Sequence, residues 1–336
     1  MSIVIVTWHS VGDVGPLLAS LADTLADGAE LVVVENASGD DTPARVRAQV
    51  PGARVIENAS NRGFAVAANQ GFAASRGAYV LFVNPDTVMH AGTVTRALAH
   101  LTTDPVIGVL GCRTLNDDGT PQPTVDRFHT VGGLVREAMT SRRGLEGAPR
   151  GSAPATTCDV DWLYGSFLLC RRAALSAVGG FDETYEMYGE DLDLCHRMRA
   201  AGYRVVYLAD ATLTHRGNQS GARRYGERRD VAVLKGTLRF FRRRRGVGAE
   251  RAFRVLAGGS FAAKAALSAI SILTGAPGEA ALRARLYARL AWLCATGDPA
   301  ARRERASATP GAPAPSSQGA APPPVRRDVS EPGART

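Results

Sequence analysis

Tyr79-Val80-Leu81-Phe82-Val83-Asn84-Pro85-Asp86 is the stretch that decides the fold. Five residues with no polar alternation fit a strand buried on both faces, and they stop at an Asn-Pro turn with a carboxylate beyond it. Outward from here the same unit repeats. Ile3–Val6, Leu31–Val34, Arg54–Ile56 and Val106–Leu110 are short, β-branched-rich runs. Val14–Leu25, Thr42–Val50, Ala65–Ser75 and Thr93–Leu101 lie between them and read as helices. Strands alternating with helices predict an α/β unit around a mainly parallel sheet. Ligands of such sheets collect at the carboxyl ends of the strands, so the residues just past each strand matter most.

The composition agrees. The chain has 336 residues, 45% hydrophobic and 21% charged, enough for one large domain or two ordinary ones with a real core. A wholly disordered chain is excluded, and 36 Gly with 18 Pro are too few and too aperiodic for collagen. No apolar run reaches the roughly eighteen residues that a membrane span needs. The opening MSIVIVTWHS lacks a basic leader and a small-residue cleavage site, and reads as a strand rather than an export signal. Cys112, Cys158, Cys170, Cys195 and Cys294 show neither C-x-x-C nor zinc spacing, which predicts reduced core thiols and a cytoplasmic location.

Residues 113–160 read as irregular, with a turn at Asn116-Asp117-Asp118-Gly119 and an Arg-, Gly- and Pro-rich stretch at Ser141–Pro154 that suits either a mobile loop or a surface linker. Order resumes at Trp162–Cys170, followed by helices near Arg171–Val178 and Asp191–Ala201 and closing strands at Arg204–Leu208 and Leu213–His215. Beyond 225 the character changes. Val231, Leu234, Leu238 and Phe241 mark one face of an Arg-rich helix, Phe253–Leu273 forms a second, and Leu282, Leu286, Leu290 and Leu293 mark a third. From Ala300 onward no apolar periodicity remains, which predicts disorder. The expected division is 1–225, 226–299 and a tail at 300–336.

The net charge of +8 is local: between Arg223 and Arg254 twelve Arg or Lys against three Asp or Glu give +9, leaving about −1 elsewhere. This disfavours a protein coated by nucleic acid, as do the few aromatics among the arginines, so no nucleic-acid partner is expected. Arg239 and Arg242–Arg245 border the apolar Phe253–Leu273 segment, and residues 223–273 suit the anionic surface of a membrane. An internal helical hairpin with solvated arginines fits equally well.

Several residues are placed for chemistry. Asp86, at the end of its strand, suits a divalent cation such as Mg²⁺, although it could also cap the next helix. Glu35 ends the second strand where a side chain could meet a nucleoside, and Asn36–Asp40 could equally be a helix-capping turn before Thr42-Pro43. Asn61-Arg62-Gly63-Phe64-Ala65 sets a cation at a helix N-terminus, which suits an anion. Glu190-Asp191 opens a helix, where acids favour the dipole or one acts as general base. His215 could ligate a metal or be an edge histidine.

In this order and context the chain resembles the GT-A glycosyltransferases of family 2, most closely the rhamnosyltransferase-like branch, over roughly residues 2–245. The resemblance rests on Ile3-Val4-Ile5-Val6-Thr7, Val34-Glu35-Asn36-Ala37-Ser38, Asn61-Arg62-Gly63-Phe64-Ala65, Leu81-Phe82-Val83-Asn84-Pro85-Asp86, Gly165-Ser166-Phe167, Gly179-Gly180-Phe181-Asp182 and Tyr188-Gly189-Glu190-Asp191. It implies a Rossmann-like, mainly parallel mixed sheet flanked by helices. It also implies a dTDP- or UDP-sugar donor bound with a divalent metal, Mg²⁺ or Mn²⁺.

By that resemblance Thr7 and Glu35 contact the base, Arg62 sits close by, and Asn84 faces the ribose or metal. Asp86 ligates the metal, His215 joins it, and Asp191 deprotonates the acceptor hydroxyl in an inverting displacement. Trp162, Gly165, Ser166 and Glu190 fall on the acceptor side. The expected reaction moves rhamnose from dTDP-rhamnose to a glycan or polyprenyl-linked acceptor, at the inner face of the cell membrane. The alternatives are a UDP-hexose donor or a catalytically silent nucleotide-binding scaffold. Two departures stand out: Glu35 replaces the family's Asp, and Trp8-His9 replaces Tyr-Asn, so His9 takes no role. Asn84 replaces a first Asp, as is normal for this branch, and leaves Asp86 as the main metal carboxylate.

Overall fold

Strand β1 (Ser2–Thr7) sends Ile3 and Ile5 into one buried cluster and Val4 into another, so its sheet is covered on both faces. The computed structural model describes residues 1–133, 136, 153–185, 187–216, 229–273 and 277–298. After β1 come α1 (Val14–Ser20), α2 (Ala22–Ala26), β2 (Glu30–Glu35), α3 (Thr42–Gln49), β3 (Arg54–Glu57), α4 (Phe64–Ala74) and β4 (Tyr79–Val83). The chain continues through β5 (Thr87–Met89), α5 (Thr93–Thr103) and β6 (Ile107–Leu115) to four two-residue strands. These are β7 (Pro121–Gln122), β8 (Val125–Asp126), β9 (Cys158–Asp159) and β10 (Trp162–Leu163). Next are β11 (Phe167–Arg171), α6 (Arg172–Ala177), α7 (Glu190–Ala200) and β12 (Arg204–His215).

The main sheet has the order β3-β2-β1-β4-β11-β6-β12-β5. β1, β2, β3 and β4 are mutually parallel, β11 is antiparallel to both β4 and β6, and β12 runs parallel to β6. Only three residues separate β4 from β5, yet β5 pairs with β12 at the far end of that order. The sheet therefore curls, and the Asn84–Asp86 turn spans its carboxyl edge. That curl brings the last residues of β12 to Asp86.

Two expectations change in detail. The helix predicted over Val14–Leu25 breaks at Leu21, whose N–H is shared by the Leu17 and Leu18 carbonyls. The two predicted closing strands are one, β12, because a register shift between Leu208 and Thr212 carries the ladder past the exposed Asp210. All five cysteines are free thiols.

The C-terminal part consists of α8 (Arg229–Phe240), a π-helical turn at Phe241–Arg245, α9 (Val247–Leu273) and α10 (Pro277–Thr296). Val231, Leu234, Phe241, Phe253, Phe261, Tyr287 and Leu290 give it a core of its own. Four of the arginines at 239–245 are held in ion pairs within the chain, while Arg243 and Arg245 remain exposed. Arg243 pairs with Asp182 at 2.9 Å, Arg244 with the fully buried Asp193 at 2.5 Å, and Arg239 with Asp298 at 2.6 Å. Arg242 approaches Glu250 at 3.6 Å. Two of these pairs tie the helices to the sheet domain.

One expectation is corrected: α9 is long and apolar enough, over Val247–Ile272, to cross a membrane. Lys264 and the small residues around it interrupt the apolar run without making the helix polar on average. The stretch 141–152, the start of the basic segment at 223–228 and the tail from 300 to 336 lie outside the described residues.

Candidate functional site

Asp86 follows β4 and is almost fully buried, and its backbone carbonyl accepts from the N–H of Arg216 at 3.0 Å. Thr87 pairs with His215 across β5 and β12, which brings the two side chains together. The Asp86 Oδ1 to His215 Nε2 distance is 3.4 Å, yet the buried Nε2 makes no hydrogen bond. The other ring nitrogen, Nδ1, lies 2.7 Å from Gln122 Oε1. A carboxylate oxygen and an unused imidazole nitrogen facing one point form a donor set for a divalent cation, whose adjacent octahedral ligands stand about 3 Å apart. The residues fit the metal. Among the described residues no three His, Cys, Asp or Glu side chains cluster as a metal centre. A cation here would complete its shell with substrate and water, as Mg²⁺ commonly does.

The second acidic group is joined to the first through backbone. Asn84 N–H donates to the Ser166 carbonyl at 3.2 Å, and Gly165 N–H donates to Asp191 Oδ2 at 2.9 Å. Asn84, Asp86, Gly165, Ser166 and Asp191 thus line one continuous edge. Asp191 is half-buried on the first turn of α7, and burial pushes its carboxyl up to about 6 against the pull of its backbone hydrogen bonds. Glu190 is buried, and Oε2 has no hydrogen-bond partner. Burial first, then the charge of Asp191, push its carboxyl well above the usual carboxylate range, which favours a single negative charge on the pair.

The strand ends of β1 and β2 carry the other candidates. Thr7 and Glu35 are register partners, and Thr7 is fully buried with an unpartnered hydroxyl. Glu35 accepts from the N–H of Ala37 at 3.0 Å, the N–H of Ser38 at 2.8 Å, and the Ser38 hydroxyl. Most of its acceptor capacity therefore shapes its own turn. Buried Asn36 draws in the next loop: its Oδ1 accepts from Arg62 N–H at 3.2 Å and its Nδ2 donates to the Gly63 carbonyl at 3.1 Å. Arg62 itself is exposed beside this edge. Trp162 does not join the open site. It is buried, packs at a tilt against Tyr164 and donates to the Arg127 carbonyl at 3.1 Å, so it supports the wall.

Sequence reasoning missed three contributors. Gln122 holds His215 from 93 residues away. Arg244 clamps Asp193, two residues beyond the candidate base. Gly236 of α8 lies so close to the loop before α7 that a Cβ would stand 1.9 Å from the Tyr188 carbonyl oxygen. That loop holds Tyr188 at φ +69° and Gly189 at φ +105°, a left-handed pair that turns the chain into α7. The only local signal for Gly236 was a glycine inside a helical pattern, which suggests a close packing contact.

The chain is similar to known proteins over most of its length. The family model described as glycosyl transferase family 2 matches residues 2–176. The N-acetylglucosaminyl-diphospho-decaprenol L-rhamnosyltransferase of Mycobacterium tuberculosis is 29% identical over 244 residues, spanning 66% of this chain and 78% of that protein. The rhamnosyltransferase WbbL of Escherichia coli is 28% identical over 173 residues, 50% of this chain and 62% of the relative. Among solved structures, a mannosyltransferase from Pyrobaculum calidifontis in complex with GDP-Man and Mn²⁺ superposes with a TM-score of 0.53 at 20% identity, covering 88% of this chain and 85% of that one.

Proposed function

The chain belongs to glycosyl transferase family 2 and is a glycosyltransferase; from there we propose that it transfers rhamnose from dTDP-rhamnose, with inversion, to a hydroxyl of a lipid-linked glycan. The observation that carries the reading is the backbone link Asn84–Ser166 and Gly165–Asp191, which sets Asp86 and Asp191 on one edge. Thr7, Glu35 and Arg62 flank the nucleoside end of the donor, and Asn84 faces its ribose. Asp86 and His215 hold the divalent cation, Mg²⁺ or Mn²⁺. When bound, the cation offsets the charge that develops on the departing diphosphate. Asp191 takes the proton of the acceptor hydroxyl as that oxygen bonds to the anomeric carbon. The bond from that carbon to the diphosphate breaks, and the nucleoside diphosphate leaves with the electron pair. Gly165 N–H orients the Asp191 carboxylate, while burial of Glu190 beside it opposes a second charge.

The rhamnosyl choice draws on the two rhamnosyltransferase relatives, and the acceptor on the decaprenol-linked substrate named for one of them. With Mn²⁺ present, dTDP-rhamnose at a hundred times its Kd should stabilise the protein by about 2.7 kcal/mol, a shift that differential scanning calorimetry detects. Product formation on a polyprenyl-diphosphate glycan then separates an enzyme from a silent scaffold. A larger shift and turnover with a UDP-hexose would replace rhamnose as the donor sugar.

The protein works from the cytoplasm on the membrane surface. Because the arginines at 239–244 are engaged internally, contact falls on the outer face of α9 and α10. There Val255, Leu267 and Trp292 stand 74%, 64% and 60% exposed, with Leu256, Ile270 and Leu282 also exposed. Co-sedimentation with anionic phospholipid vesicles is expected to fall several-fold when Val255, Leu267 and Trp292 are replaced by Ser. Equal binding of this variant, or no binding by the wild type, would reject the membrane face.

A further inference from the structure

We propose that Gln122 is a positioning residue that holds the His215 ring with its proton on Nδ1 and its lone pair on Nε2 aimed at the cation site. The polarity of this contact is set by the turn that precedes Gln122. The proposal rests on the reading of Asp86 and His215 as cation ligands, and its test separates the two.

The chain of contacts starts at Asp118, which is exposed and accepts from both the Thr120 hydroxyl at 2.6 Å and the Thr120 N–H at 2.9 Å. Those two bonds hold its carboxyl below the usual carboxylate range, so it is a pure acceptor. The hydroxyl proton of Thr120 is therefore committed, and Thr120 Oγ1 receives a bond from Asn116 Nδ2 at 2.9 Å. This turns Asn116 Oδ1 toward Gln122, whose Nε2 donates to it at 2.9 Å and leans toward the His215 carbonyl at 3.4 Å. With its amide nitrogen facing those two acceptors, Gln122 presents only Oε1 to His215, at 2.7 Å from Nδ1. An oxygen without a proton can only accept, so Nδ1 is the protonated nitrogen of the neutral ring. Nε2 is left bare, buried and without a hydrogen bond, 3.4 Å from Asp86 Oδ1.

The fold supplies the register for this relay. β6 and β7 form a hairpin through the Asn116–Thr120 turn, with Thr114 opposite Gln122. β6 in turn pairs with β12, where Leu115 lies opposite Thr214, next to His215. Partners that fix the tautomer of a ligating imidazole raise its basicity, and their loss typically weakens metal binding 10–100-fold.

The test titrates Mn²⁺ by electron paramagnetic resonance, in the presence of dTDP, into wild type, Gln122→Leu, Gln122→Glu and His215→Ala. Leu removes the acceptor, and binding is expected to weaken about 10–100-fold. Glu restores an acceptor to Nδ1–H, and binding should return to within a few-fold of wild type. Wild-type Mn²⁺ binding by Gln122→Leu, with His215→Ala weakened, would overturn the positioning role and leave the ligand reading intact. Unchanged binding in His215→Ala would end both. Independently of any variant, ¹⁵N spectra of the histidine rings in metal-free wild type should show His215 protonated at Nδ1, and protonation at Nε2 instead would overturn the proposal.

Discussion

Replacing Asp191 by Asn is expected to lower kcat by about 10²–10⁴-fold while leaving the KM for the donor nearly unchanged. The amide keeps an oxygen for the Gly165 N–H, which now reaches Oδ2 at 2.9 Å, so the loop can stay in place. What is lost is the ability to take a proton as the acceptor oxygen forms its new bond. The wild-type pH profile carries the same signature. Burial raises the Asp191 carboxyl to about 6. The working form is ionised, so kcat/KM should fall as the pH drops through about 6 and level off above it. In the Asn variant that limb should vanish from whatever rate remains. Single-turnover assays at pH 5 to 8 check both points, and a variant turning over at the wild-type rate would exclude Asp191 as the base.

Replacing Asp86 by Asn should have an effect of similar size and a different character. A cation opposite a departing diphosphate is worth several kcal/mol, and about 1.4 kcal/mol corresponds to tenfold, so kcat/KM for the donor should drop about 10³-fold. Mn²⁺ affinity should fall with it, since the amide carries no charge. EDTA should silence wild type and add little to the variant. His215→Ala should cost less alone and almost nothing on the Asp86→Asn background, because the two side chains converge within 3.4 Å. An Asp86→Asn protein that keeps Mn²⁺-stimulated transfer would place the cation elsewhere.

Much of the architecture was legible because its determinants are local. The run Tyr79–Val83 declares a doubly covered strand, and the turn after it carries Asp86 whatever the rest of the chain does. Asp191 announces itself as one of three acids in the first turn of a helix, Glu190, Asp191 and Asp193. Long-range partnership was not legible. Composition counts the arginines at 239–245, but it cannot reveal that Asp182, Asp193 and Asp298 are waiting for them. Gln122 sits in a short strand after a turn, and nothing nearby marks it as a neighbour of a histidine 93 residues further along the chain. Glu35 could be placed at a strand end, but its capture by Ala37 and Ser38 depends on the geometry of the turn.

The contact between Gly236 and Tyr188 makes the C-terminal helices a buttress for the candidate site. Arg244 reinforces it from the same side by gripping Asp193 in the helix that bears Asp191. A hybrid that grafts these helices from a relative must therefore bring along a matching loop and matching acids, or the turn before Asp191 will lean on nothing. The C-terminal helices and the wall of the candidate site are, in this molecule, inherited as one piece.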